Sequence, residues 1–306
     1  MKVCIVGCGA VGSLFAASLA QLEDVDVWAY DLDAEHVRAA NENGLRLSGA
    51  GELVARLEAT TDAAALPPCD FGIVATKSMH TDAALRASAH AFADGCVCSV
   101  QNGVGNEETI AAHVTRVIRG TTFPAGRIVA PGHVQWDVTG DTTLGPFEPS
   151  PAPREEIERL AEACTRAGMP TQAVPDARGP QWRKVIFNAA TNPVGALTGL
   201  THGQVCEDAS LRRLVSGLVD EGKAVAGAQE IELDADPEEL IDYAARPEVA
   251  YGHKASMLQD VEARRQTEID YLNGGIVRFG REHGVPTPLN EALVALVKGL
   301  ESSWLH

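Results

Sequence analysis

Val3 to Val6 is a short apolar, largely β-branched run closed by Gly7, and beyond it the period of the apolar positions changes. Val11, Leu14, Phe15, Ser18, Leu19 and Leu22 recur at helical spacing across Ala10 to Leu22, which predicts strand, turn and helix. Val25 to Tyr30 alternates apolar with acidic positions and stops at Asp31; Ala34 to Asn43 then reads as a helix ended by Gly44. Phe71 to Thr76 and Cys96 to Val100 are runs of the fully buried type, separated by a helical pattern over Thr81 to Phe92. Strands alternating with helices in this way predict a parallel sheet with right-handed crossovers.

From Thr121 the elements shorten around the turn dipeptides Pro131-Gly132 and Gly140-Asp141, so antiparallel strands are expected to extend that sheet. Arg154 to Ala167 predicts a helix closed by Gly168, and Thr171 to Val174 a last strand. The prolines and glycine of 175–180 mark a boundary, beyond which the pattern is helical throughout. Two domains are therefore expected, 1–176 and 177–306.

Composition narrows the functional classes. Against 42 Asp plus Glu stand 25 Lys plus Arg, a net charge of −17 that repels phosphate backbones, so no nucleic acid partner is expected. No apolar stretch approaches the roughly 20 residues of a membrane helix, so no membrane partner is expected either. Seven scattered cysteines, with Cys96 and Cys98 lacking the gap of a redox pair, fit reduced thiols. With no export-type leader at Met1 to Gly7, the expected location is cytoplasmic. None of the nine histidines pairs with another at helical ligand spacing, so no metal is expected. The apolar positions of Leu289 to Leu300 suit either a homodimer contact or a core.

Two constellations carry chemistry. Gly7-Cys8-Gly9-Ala10-Val11-Gly12 is a G-x-G-x-x-G set between a strand and a helix. Its glycines permit a tight turn, close approach of a pyrophosphate and close helix–strand packing, while the helix N-terminus offers unpaired N–H groups. Asp31, 19 residues after Gly12, is placed to accept from the adenosine ribose hydroxyls and to repel a 2′-phosphate, which favours NADH; the alternative is that it only caps the next helix. His36 and Arg38 are the nearby groups able to answer a phosphate. The second constellation is Lys184, Asn188 and Asn192, which stand four apart and share one helix face, serving either a polar task or a solvated stripe. Pro193 follows and is expected to kink that helix.

With these residues in hand, the chain resembles the ketopantoate reductase family. The resemblance runs nearly end to end and rests on Gly7 to Gly12, Lys77 after a strand, Gln101-Asn102-Gly103-Val104-Gly105, the Lys184, Asn188, Asn192-Pro193 helix, and Ser256 to Asp260 with Glu268 to Gly274. It implies an α/β fold: an N-terminal Rossmann-type doubly wound sheet with added antiparallel strands, and an all-helical C-terminal domain for substrate and dimerisation. It also implies NAD(P)H-dependent reduction of a 2-oxo acid, with 2-dehydropantoate the best single substrate and NADPH the usual cofactor. Lys184 would then be the general acid in a crevice between the domains, with Glu268 holding substrate hydroxyls and the lysine. Lys77 would lie on the cofactor, Asn102 on the cofactor ribose and substrate side, and Asn188, Asn192, Ser256 and His202 on the substrate. Residues twelve apart on one straight helix lie about 18 Å from each other, so Ser256 and Glu268 can meet one substrate only if the backbone breaks between them. Without the resemblance, Glu268 reads equally as a surface partner of Arg264 or Arg265. Two departures stand out: an acid at Asp31 where NADPH users carry arginine, and His202 where the family has another substrate-binding asparagine. Alternatives are a paralogous reductase of another 2-oxo acid, a β-hydroxyacid or opine-type dehydrogenase, and an NAD(P)-sensing protein without turnover.

Overall fold

The computed structural model describes residues 1–305, which fall into two compact units. One comprises Met1–Gln101 and Asn106–Ala177; the other comprises Arg178 onward together with the four residues Asn102–Gly105.

In the first unit, β1 (Lys2–Val6), α1 (Ala10–Leu19), β2 (Asp26–Tyr30) and α2 (Ala34–Asn43) follow the expected rhythm. Next come β3 (Leu45–Gly49), β4 (Leu53–Ala55), β5 (Glu58–Thr60), β6 (Phe71–Val74), α3 (Thr81–Ser88), β7 (Cys96–Ser99), α4 (Asn106–Ala111) and β8 (Val117–Thr122). The unit closes with β9 (Ala125–Ala130), β10 (His133–Val138), β11 (Thr142–Pro146), α5 (Arg154–Arg166) and β12 (Thr171–Ala173). The main sheet has the order β12-β11-β8-β7-β6-β1-β2-β5, and its six strands from β8 to β5 are mutually parallel. Strand order reverses between β1 and β6, where doubly wound sheets bind their ligands.

Both faces of this sheet are covered, so β1 is apolar at every interior position. Val3 and Ile5 join one core with Leu14, Phe15 and Leu160, while Cys4 and Val6 join another with Tyr30, Leu85 and Phe92. Of the short strands after Thr121, only β11 extends the main sheet antiparallel, against β8. This corrects the expectation for the others: β9 and β10 leave it to form a separate four-stranded sheet, β4-β3-β10-β9. The physical cause is one-sided patterning, since Val134 and Trp136 of β10 and Leu45 and Leu47 of β3 bury only one face. The helix expected to Phe92 is α-helical only to Ser88 and continues as a 3₁₀ turn over Ala89–Phe92.

The second unit contains α6 (Arg178–Thr198), α7 (His202–Glu207), α8 (Ala209–Ala228), α9 (Pro237–Ala244), α10 (Ser256–Glu262), α11 (Asn273–His283) and α12 (Pro288–Ser303). Helix α6 is its centre: α7, α8, α9, α10 and α12 all pack on it, around Trp182, Val185, Ile186, Ala189 and Ala190. Val104 from the 102–105 segment is buried in the same core and donates its N–H to the Tyr271 carbonyl at 3.0 Å. Among the described residues, no helix is long and apolar enough to cross a membrane.

Candidate active site

In the first unit the glycine turn leaves β1 directly. Gly7 has φ +91°, and a Cβ there would lie 2.6 Å from Thr76 on the neighbouring loop, so conformation and space both require glycine. A Cβ at Gly12 would collide with the Gly7 carbonyl oxygen, which is the helix–strand closeness the motif demands. Gly9 differs: an added Cβ would meet no protein atom within 4 Å. Nothing inside the protein asks for glycine there, whereas a pyrophosphate lying on the turn would. The first bond of α1 runs from Ser13 N–H to Gly9, so the amides of Ala10, Val11 and Gly12 precede it, and no side chain caps them. These residues fit a dinucleotide.

Asp31 is not the cap of α2. Asp33 is, accepting from the N–H groups of Glu35 and His36. Asp31 instead accepts from Cys8 N–H at 2.6 Å and from Asp33 N–H at 2.9 Å, which couples the turn to the end of β2. Cys8 contributes only backbone here, since burial pushes its thiol up to about 12. His36 cannot answer a phosphate: it is buried, accepts from Gly132 N–H at 3.2 Å through Nδ1 and meets Ser13 Oγ at 3.4 Å through Nε2. Desolvation lowers its pKa and keeps it neutral. Arg38 remains exposed on α2.

Lys77 follows β6 on the other side of the switch point, opening the 3₁₀ turn Ser78–His80. The loop before it is clamped by Gln101, whose Nε2 donates to the Thr76 carbonyl at 2.9 Å and to Thr81 Oγ1 at 2.7 Å. No role for Gln101 follows from the sequence motifs; an amide directly after the apolar run Cys96 to Val100 was the available signal.

In the second unit, Lys184, Asn188 and Asn192 lie along α6 as their spacing predicts. Asn188 and Asn192 are buried, while Lys184 is partly accessible. Desolvation draws the Lys184 amine from 10.5 down to about 8, opposed by the carboxylate of Glu268. Glu268 is itself only 7% exposed. It is not the surface partner of Arg265, which bonds Asp260 at 3.2 Å instead. The backbone does break between Ser256 and Glu268: α10 ends at Glu262, Arg264 adopts φ +49°, and Glu268 sits in the turn before α11. Ser256 is exposed at the first turn of α10, a helix packed along α6.

Asn102, expected on the cofactor ribose and substrate side, lies in this helical unit and accepts a long hydrogen bond from Asn188 Nδ2 at 3.5 Å. Asn192 has one polar neighbour, Thr191 Oγ1 at 3.5 Å, and Thr191 already donates to the Phe187 carbonyl at 2.8 Å. Its amide therefore retains hydrogen-bonding capacity. His202 is engaged elsewhere: Nε2 lies 3.1 Å from the Ile241 carbonyl and the ring stands against Phe187. Pro193 does not end α6, which continues to Thr198.

A doubly wound sheet with a dinucleotide turn at its switch point, joined in one chain to a helical bundle holding an easily deprotonated lysine, defines the class of NAD(P)-dependent oxidoreductases. More particularly, the chain belongs to the ketopantoate reductase family: residues 3–149 match "Ketopantoate reductase PanE/ApbA" and residues 176–301 match "Ketopantoate reductase PanE/ApbA C terminal". The 2-dehydropantoate 2-reductase of Pyrococcus horikoshii is 36% identical over 99% of this chain and 98% of its own. The crystal structure of a ketopantoate reductase from Ralstonia eutropha JMP134 superposes with a TM-score of 0.89 at 31% identity, covering 100% of both chains. D-mandelate dehydrogenase in its ternary structure with NADH and anilino(oxo)acetate gives a TM-score of 0.90 at 29% identity, covering 99% of each chain.

Proposed function

We infer that this protein reduces 2-dehydropantoate to pantoate, with Lys184 as the general acid. NADH or NADPH, when bound, supplies the hydride to the carbonyl carbon. As the carbonyl oxygen becomes an alkoxide, the ammonium of Lys184 stabilises the charge and delivers its proton. An amine near 8 suits the task, because it is mostly protonated at neutral pH yet gives up its proton more readily than an ordinary lysine. Glu268 keeps the amine charged until the proton is needed and accepts from a substrate hydroxyl. Asn188, Asn192 and Asn102 offer amide donors and acceptors to a hydroxylated acid without adding charge, and Ser256 donates to its carboxylate.

The observation that carries this reading is Lys184 on α6 with the buried amides of Asn188 and Asn192, its amine desolvated and its charge supported by the buried carboxylate of Glu268. Asp31 and the occupied His36 favour NADH over NADPH. The likeness to D-mandelate dehydrogenase with NADH supports a second reading, in which the substrate is another 2-oxo acid.

Oxidation of NADH and of NADPH, followed separately with 2-dehydropantoate, 2-ketoisovalerate and an aromatic 2-oxo acid, tests both readings. Lys184→Ala is expected to lower kcat by about 10² to 10⁴ while nucleotide binding persists. A rate within tenfold of the parent removes Lys184 from the chemistry. Nucleotide binding with no turnover on any oxo acid would leave a sensor rather than an enzyme.

A further inference from the structure

Helix α6 runs through Pro193, and a proline inside a helix has a definite consequence four residues earlier. It has no N–H to donate to the Ala189 carbonyl, and its ring pushes that carbonyl outward. The orphaned oxygen is taken by a side chain from another helix: Asn273 Nδ2 donates to it at 2.9 Å. The second hydrogen of the same amide goes to Asn290 Oδ1, also at 2.9 Å. Asn290 in turn donates to Glu221 Oε2 at 2.7 Å, and Glu221 accepts the N–H groups of Leu289 and Asn290 at the start of α12.

Asn273 and Asn290 are both fully buried. Asn273 Oδ1 has no partner, and turning the amide over would set an acceptor against two acceptors, so its orientation is fixed by chemistry. An alanine at 193 would satisfy Ala189 with an ordinary helical bond and need no buried asparagine at all. What proline and asparagine together supply is a lateral link between backbones.

The position of that link matters. Asn273 is the first residue of α11 and directly follows the turn that holds Glu268, in which the N–H groups of Tyr271 and Leu272 both return to the Glu268 carbonyl. Ala189 is the residue after Asn188 on the helix that carries Lys184. We propose that Asn273 is a positioning residue: by docking on the carbonyl that Pro193 frees, it fixes the Glu268 turn against α6 and so sets the Glu268 carboxylate relative to the Lys184 amine. The inference rests on the assignment of Lys184 and Glu268 made above.

Pro193→Ala carries little risk to folding, because its N–H gives the Ala189 carbonyl an ordinary helical partner; the oxygen's second lone pair can still accept from Asn273, so this variant weakens the link and does not remove it. Asn273→Leu and the double variant P193A/N273L complete the set, the double variant having the carbonyl satisfied and the link absent. Melting temperature, kcat, KM and the alkaline limb of kcat are measured for each. Pro193→Ala is expected to melt close to the parent; the double variant, which also strips the buried Asn290 Oδ1 of its donor, should melt somewhat lower. Its kcat should fall about tenfold or more, since small misplacements of reacting groups are costly. Its alkaline limb should move to lower pH as Glu268 loses its hold on the amine. Parental kcat and an unmoved limb in the double variant, where the link is absent, overturn the proposal and leave Asn273 as a plug for one carbonyl. Lys184→Ala serves as the control: if it retains activity, the acid assignment fails, whereas an inactive Lys184→Ala beside an unaffected double variant rejects the positioning role alone.

Discussion

Lys184 works against the fold that holds it. Its amine titrates near 8 in the folded chain and near 10.5 when free, so between those values the unfolded chain binds more protons and stability rises with pH. Below about pH 8 the desolvated charge costs its full amount, about 3 kcal/mol. Lys184→Met is therefore expected to raise the melting temperature at pH 7 while abolishing turnover, and calorimetry across pH 7 to 10.5 should show that advantage fading. With Lys184 as the proposed acid, kcat should be level below about pH 7 and fall above 8. Glu268→Gln removes the group that keeps the amine charged, and its alkaline limb should lie at lower pH than the parent's. Asp31→Arg is expected to shift preference toward NADPH, read as the ratio of kcat/KM for the two cofactors. It also removes the acceptor of the Cys8 amide, so the KM for NADH should rise.

At the scale of elements, the strand–turn–helix of residues 2–19 separates glycines needed by the fold from the one left for a ligand. Gly12→Ala forces the start of α1 off the Gly7 carbonyl and should lower the melting temperature. Gly9→Ala meets no protein atom, so it should melt within about 1 kcal/mol of the parent yet bind NADH far more weakly, as titration of nucleotide fluorescence would show. This motif was legible because its meaning is local: period, glycine spacing and the acid after β2 all lie within 31 residues. The Lys184, Asn188, Asn192 face was legible for the same reason. The sheet of β3, β4, β9 and β10 was not, because β10 pairs in parallel with a strand some 85 residues earlier and no local pattern records that partner. Asn273 sits in a motif quoted for resemblance alone; its bond to Ala189 spans 84 residues and depends on what Pro193 lacks, which no periodicity reveals. His202 looked like a substrate ligand by position, but packing turned its Nε2 to a backbone carbonyl.

At the scale of the whole molecule, a chain of net charge −17 takes anions as its ligands, the oxo acid and the dinucleotide. Screening such a field shortens its reach to about 8 Å at physiological ionic strength. Raising salt from low to physiological strength should therefore increase kcat/KM for the oxo acid, chiefly through KM; a value that falls with salt would point instead to a local positive funnel. The chain also crosses between its units three times rather than once, because Asn102–Gly105 belongs with the helices while its flanks belong with the sheet. Val104 fills a place in the helical core, and Gly275 leaves room for it. A gene exchange at codon 178, the natural seam for recombining such halves, would thus pair each helical module with a foreign plug. Homologous chimeras should recover only when that tetrapeptide travels with residues 178–306.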